Sequence, residues 1–247
     1  MPDRRKHRGP HPEDETLFAA EHWPRLRRAT LELSWLLGRG YTPHSALKLV
    51  GDRHALNARQ RSAVSRAACS DASLEKRRAG EVALDAAGEL WLDGFNVVLS
   101  VEVALSGGFL FIGRDGCVRD LASVHGSYRL VEETLPSIES ISQTLHAHDV
   151  HPCRWLLDAP VSNSGRLAAR LRETAESRDL DWSVEVVRNP DELLVQGAAT
   201  VASADGWVLD NARRWCNLAR SILQSRIPDA KIVDLRTTEG ADALGLD

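Results

Sequence analysis

Apolar residues recur at helical spacing in the first third of the chain, whereas short apolar runs alternate with helical stretches in the rest. From Leu17 to Leu37 the apolar positions Leu26, Ala29, Leu33, Leu36 and Leu37 fall on one helical face, with Pro24 suited to a first turn. Gly38-Arg-Gly-Tyr41 ends that helix. Thr42 followed by Pro43 predicts an N-cap with proline at the first helical position, opening a short helix through Val50. Gly51-Asp-Arg-His54 reads as a turn, and Asn57 caps a further helix to about Cys69. Residues 1–15 are rich in Pro, His and Arg, carry few apolar side chains and predict disorder. The expectation is a disordered basic lead-in over 1–15 and a small all-helical domain over 16–80.

Beyond residue 80 a hairpin is expected, with Glu81–Leu84 and Glu89–Leu92 as arms around the turn Asp85-Ala-Ala-Gly88. Strands are then predicted near 90–93, 109–112, 117–119, 154–158, 183–188, 199–203 and 231–235. Helices are predicted near 97–106, 127–147, 164–178, 190–197 and 207–226. Arg114-Asp115-Gly116 is turn punctuation that joins two antiparallel strands at a sheet edge. This alternation predicts an α/β domain over 81–247, with a mainly parallel central sheet and helices on both faces.

Charge sharpens the division. Residues 1–80 hold 16 Lys and Arg against 9 Asp and Glu, a balance of +7, while residues 81–247 carry −11. A basic part beside an acidic part suits a polyanion held near a cation-requiring site, although chance segregation of surface charge gives the same balance. No apolar run is long enough to span a bilayer and the N-terminus is not a signal peptide, so no membrane partner and a cytoplasmic location are expected. Cys69, Cys117, Cys153 and Cys216 form no C-x-x-C pair and read as reduced, buried thiols. A homo-oligomer is a further expected partner state, which the sequence does not decide.

The candidate chemistry lies in acids that end apolar runs. Leu90-Trp-Leu-Asp93 is followed by Gly94 and Asn96; Trp155-Leu-Leu-Asp158 and Thr200-Val-Ala-Ser-Ala-Asp205 repeat the punctuation. Ligands of parallel α/β folds bind outside the carboxyl ends of strands, so these acids predict one shared divalent-metal site. An Asx turn at each strand end is the plainer alternative. Asp191 and Glu192 fall in the first turn of a helix, which the helix dipole favours in any case, and Asp210 lies one turn beyond Asp205. Asn96 is suited to cap a helix or fix the Asp93 carboxylate. Ser162, Asn163, Ser164 and Gly165 precede a helix that opens with Arg166, a phosphate cradle or an ordinary cap. The cluster His146, His148 and His151 reads as surface. Walker, G-x-G-x-x-G, H-E-x-x-H and G-x-S-x-G patterns are absent.

Over residues 89–235 the segment Leu92-Asp-Gly-Phe-Asn96, Leu157-Asp158, Asp191 and Ala202-Ser-Ala-Asp205 resemble the acidic landmarks of the PIN-like nucleases, NYN branch included. The resemblance implies a parallel sheet that gathers strand-end acids around Mg²⁺ or Mn²⁺ to hydrolyse RNA, and sometimes DNA. By position, Asp93, Asp158, Asp191 and Asp205 would then be the catalytic and metal-binding acids, with Asn96, Glu192 and Asp210 in support. The whole chain, with Gly51-Asp-Arg-His54 and Leu56-Asn-Ala-Arg-Gln-Arg61, also resembles an uncharacterised prokaryotic family that joins a short helical domain to a PIN-like one.

Within residues 42–69 the two short helices read equally as a helix-turn-helix variant and as a packed helical hairpin. In the first case Arg53, Arg59, Arg61 and Arg66 would contact phosphates. The leading expectation is a metal-dependent ribonuclease or related phosphodiesterase, with RNA ahead of DNA as partner. The alternative is a non-catalytic RNA- or ribonucleoprotein-binding module on the same fold. A hydrolase of small phosphorylated metabolites would use the same acids.

Overall fold

A computed structural model describes residues 7–122 and 128–236. The chain is α/β, with a parallel four-stranded sheet flanked by helices and an N-terminal helical region. It divides into two compact units: one takes residues 1–9, 80–108 and 122–230, the other 10–79, 109–121 and 231–247. In chain order the helices and strands are α1 (Asp14–Leu17), α2 (Trp23–Gly38), α3 (Pro43–Arg53), α4 (Ala58–Ala67), α5 (Asp71–Gly80), β1 (Leu90–Asp93), α6 (Gly94–Leu105), β2 (Phe109–Ile112), β3 (Val118–Asp120) and α7 (Thr134–Ala147). They continue with β4 (Cys153–Asp158), α8 (Ser164–Arg178), β5 (Trp182–Val187), α9 (Pro190–Gln196), β6 (Thr200–Ala202), α10 (Gly206–Asn211), α11 (Leu218–Arg226) and β7 (Lys231–Asp234).

The unit that contains β1 is built on the sheet β5-β4-β1-β6, all parallel. Side chains alternate across it. Leu90, Leu92, Trp155, Leu157, Val184 and Ala202 point into a core shared with α6, α7, α8 and α11. The other face carries Trp91, Asp93, Arg154, Leu156 and Asp158. There the Arg154 guanidinium lies 4.4 Å from the Trp91 ring centroid and donates to Glu185 at 2.7 and 3.0 Å. Gly197, just past α9, packs on the same indole: a Cβ there would meet Trp91 ring atoms at 2.7 to 3.0 Å.

Leu84–Ala86 forms a 3₁₀ turn, so the expected hairpin over 81–92 is not made. β1 is already paired on both edges, with β4 and β6, and has no edge left for a third strand. Glu81 instead bridges Trp215 in parallel. The helix expected over 207–226 is two helices, separated where Trp215 and Cys216 are buried and Trp215 bridges Val201.

The second unit joins the helices expected over 16–80 to three strands from later in the chain. β2 and β3 form the antiparallel pair expected around Arg114-Asp115-Gly116, but their sheet is β3-β2-β7, with β7 parallel to β2. Phe111, Val233 and Leu235 from this sheet pack against Leu26, Ala29 and Leu33 of α2 and Ala63, Val64 and Ala67 of α4. The helix caps read from the sequence are made: Thr42 accepts from the Ser45 amide, and Asn57 and Gln60 form a reciprocal capping box. Buried Asp115 of this unit accepts from Arg77 at 2.7 Å and from Arg119 at 2.7 and 2.6 Å. These guanidiniums outweigh the burial that would raise its pKa and hold the carboxyl down at about 2.

Residues 7–15 of the expected disordered lead-in are placed. Asp14 is buried and takes two hydrogen bonds from Arg59, at 2.5 and 2.8 Å.

Candidate functional site

The sheet order gives the site its place. From β1 the chain fills β4 and then β5 on one side, then returns to lay β6 on the other, so the winding direction reverses between β1 and β6. Such a switch point leaves a crevice at the carboxyl ends of the strands. Asp93 ends β1, Asp158 ends β4, Asp191 opens α9 directly after β5, and Asp205 follows β6. The four acids therefore stand along one carboxyl edge of one sheet. Asp93 and Asp158 also share a face: Asp93 is in register with Leu156, two residues before Asp158.

Hydrogen bonds close the crevice across the switch point. Ser203 Oγ donates to Asp93 Oδ2 at 2.8 Å, and the Asp205 amide donates to Ser203 Oγ at 3.0 Å. The Ala204 amide donates to Asn96 Oδ1 at 2.8 Å. Asn96 thus ties the loop after β6 to the start of α6 through its side chain, while its own amide donates to Asp93 Oδ1 at 3.4 Å. Asp93 is at once strand end, helix N-cap and partner of Ser203. Asp205 caps α10 by accepting from Trp207 and Val208 amides at 2.8 and 3.1 Å.

Electrostatics couple the acids. Burial raises the Asp93 carboxyl to about 7; the Ser203 hydrogen bond opposes the shift, while the charges of Asp191 and Asp205 add to it. Asp191 is raised by desolvation and then by Asp205 and Asp158, and Asp158 by desolvation. A charge that shifts a neighbour's titration lies within reach of it, so Asp191 and Asp205 stand near Asp93, and Asp205 and Asp158 near Asp191. Among the described residues, however, no three His, Cys, Asp or Glu side chains are placed together to hold a metal ion. Glu192 is exposed beside Asp191, and partly buried Asp210 lies within α10.

Ser162 to Arg166 do not form the expected cradle. Asn163 adopts a left-handed conformation and its side-chain amide donates to the Tyr128 carbonyl at 2.8 Å. Ser164 is buried, and the Arg166 and Leu167 amides already donate to the Asn163 carbonyl. Ser162, Gly165 and Arg166 are exposed.

Most of the expected phosphate-binding arginines in the other unit are occupied. Arg59 pairs with Asp14, Arg61 with Asp52 and the Leu56 carbonyl, and Arg66 with the Asp120 carbonyl. Arg53 is 70% exposed, 3.5 Å from Glu32. Gln60, Ala63, Val64 and Ala67 of α4 face inward, as in either a helix-turn-helix or a packed helical hairpin. Ser203 is the site residue to which the sequence alone assigned no role. Its signal is a small hydroxyl residue at a strand end, two residues before an acid.

Residues 85–221 match the family described as "Domain of unknown function (DUF5616)", over more than half of the chain. The chain belongs to this DUF5616 family. Residues 25–79 match a second family, "Protein of unknown function (DUF434)". The chain is 27% identical over 186 residues to "Uncharacterized protein MJ0935" of Methanocaldococcus jannaschii, covering 74% of this chain and 88% of that one. It is also 28% identical over 147 residues to "Maturase K" of Calocedrus decurrens, covering 56% of this chain and 28% of that protein. No solved structure matches the chain. Among the described residues no helix is long and apolar enough to cross a membrane.

Proposed function

We propose that this DUF5616 protein is a metal-dependent phosphodiesterase acting on nucleic acid, RNA ahead of DNA, at the edge formed by Asp93, Asp158, Asp191 and Asp205. The observation that carries the reading is the placement of four acids around the switch point of a parallel sheet, with the charges of Asp191 and Asp205 felt at Asp93. The PIN-like resemblance supports the same reading.

The donor set fits Mg²⁺ or Mn²⁺ in one particular way. Four carboxylates and a hydroxyl are hard oxygen donors, and Mg²⁺ commonly keeps several waters beside one or two carboxylates. With no three-residue cage among the described residues, an ion here would be water-rich, with Asp93 and either Asp191 or Asp205 as the acids that would hold it. When bound, such an ion lowers the pKa of its water and offsets charge on the leaving oxygen. The protein's part is proton handling and charge placement. Asp93, lifted to about 7 without a cation, would release its proton to hold one, and Ser203 fixes its orientation. The clustered acids repel a bare phosphodiester, so a polyanion reaches this edge only with a cation.

The test is cleavage of labelled single-stranded RNA and DNA by purified protein, with and without Mg²⁺ or Mn²⁺. Asp93→Asn and Asp205→Asn should each reduce cleavage by at least about 100-fold, the loss of one transition-state contact. Unchanged cleavage in both variants would place the activity elsewhere. Salt-sensitive binding without turnover at any metal concentration would establish the non-catalytic module instead.

A further inference from the structure

Away from the carboxyl edge, the same unit buries a carboxylate with a cation drawn from the start of the chain. Glu102, on α6, is fully buried. It accepts from Tyr128 Oη at 2.5 Å, Thr134 Oγ1 at 2.6 Å, and Arg8 Nε and Nη2 at 2.9 and 2.6 Å. Arg8 also donates to the Arg129 carbonyl at 2.9 Å, and its guanidinium lies 5.2 Å from the Tyr128 ring centroid. Its neighbour His7 contacts Glu133 at 2.7 Å. His7 and Arg8, in a lead-in whose composition predicts no structure, are thus anchored through charge-assisted bonds.

Tyr128 carries this anchor to the candidate site by two routes. Its ring packs on Phe95 at 5.1 Å, and Phe95 is the second residue after Asp93. Its backbone is tied to the loop after Asp158: its amide donates to the Ser162 carbonyl at 3.2 Å, and its carbonyl accepts from Asn163 Nδ2 at 2.8 Å. Asn163 lies in the left-handed region at φ 67°, which asparagine tolerates better than most residues.

We infer that Arg8 is a positioning residue for the loop after Asp158, because its docking on Glu102 and Tyr128 fixes the segment to which Ser162 and Asn163 are bound. This placement stands on contacts alone; its importance for catalysis rests on the phosphodiesterase reading. Arg8 is suited to the role because one planar guanidinium reaches a carboxylate, a carbonyl and a ring face together, which a lysine ammonium does not.

Amide hydrogen exchange on the full chain tests it. Arg8→Ala should speed exchange at the Tyr128, Val161 and Ser164 amides at least about tenfold, while β5 and α11 keep their native rates. Arg8→Lys, which retains a charge against Glu102, should restore part of the protection. Arg8→Ala combined with Glu102→Gln removes the uncompensated buried charge, and the faster local exchange should persist. The inference is overturned if Arg8→Ala leaves these amides unchanged or speeds every element of the unit alike. It is equally overturned if Glu102→Gln restores protection, since Arg8 would then only neutralise a charge. Where the native chain cleaves RNA, Arg8→Ala should lower kcat several-fold at unchanged KM. A native chain that cleaves nothing overturns the phosphodiesterase reading and leaves the exchange result standing.

Discussion

Replacing Asp93 by asparagine should stabilise the protein, and increasingly so as pH rises. The folded carboxyl titrates at about 7 against 3.8 for an ordinary one. Between those values the unfolded chain has released a proton that the folded chain still holds, so rising pH favours unfolding. At about 1.36 kcal/mol per pKa unit the penalty is about 1.5 kcal/mol at pH 5 and about 4 kcal/mol at pH 8, and it vanishes below the unfolded pKa. The substituted amide would carry no charge and would keep an oxygen for Ser203. Urea unfolding of both proteins at pH 5 and pH 8, followed by circular dichroism, isolates the difference because every other titrating group is shared. The variant should gain roughly 2 to 3 kcal/mol on the native protein between the two pH values. An equal margin at both would refute the perturbed titration and its origin in burial. Carbon-detected NMR of the Asp93 carboxyl gives the same quantity directly, and diamagnetic Mg²⁺ should move that titration to lower pH if the ion binds there.

The other unit offers a test of opposite sign. Asp115→Asn strips Arg77 and Arg119 of a buried counter-charge and should cost about 3–5 kcal/mol in urea unfolding at neutral pH. Because the Asp115 carboxyl is held at about 2, its contribution is complete above the ordinary value of 3.8 and should fade as pH falls from there toward 2. Gly197→Val drives a side chain into the Trp91 indole and should lower stability by about 1–3 kcal/mol; Trp91→Leu in the same chain should recover part of the loss by making room. Asn57→Ala removes half of the capping box at α4 and should cost about 1 kcal/mol, read from the shift in thermal midpoint.

The features legible in the sequence are those whose physics is local. Thr42-Pro43 and Asn57 cap their helices as expected because a cap needs only the residues next to it. The strand-end acids fall on one carboxyl edge because each follows a strand of the same parallel sheet, which their shared punctuation already implied. Sheet membership was not legible. Phe109–Ile112 and Lys231–Asp234 have the apolar content of any buried strand, and nothing in either sequence says that they pair with each other and pack on α2 and α4. The expected hairpin at β1 fails for a related reason: strand β1 finds its neighbours far downstream, at Cys153 and Thr200.

Arginine makes the same point at the level of single side chains. A sequence shows where a guanidinium is, but its availability to a phosphate depends on whether a folded partner has already taken it. Arg59 reads as free, yet Asp14, 45 residues earlier, is buried against it, and Arg66 is taken by a carbonyl 54 residues away. Arg8 is hidden because it sits in a stretch whose composition predicts solvent exposure, yet its partner Glu102 lies 94 residues on, fully buried in a helix. A charge on a strongly apolar helix such as α6, Gly-Phe-Asn-Val-Val-Leu-Ser-Val-Glu-Val-Ala-Leu, is the detectable half of such a pair. Burying that carboxylate alone would cost several kcal/mol, so its presence in the sequence pointed to hydrogen-bond donors or a cation from elsewhere in the chain.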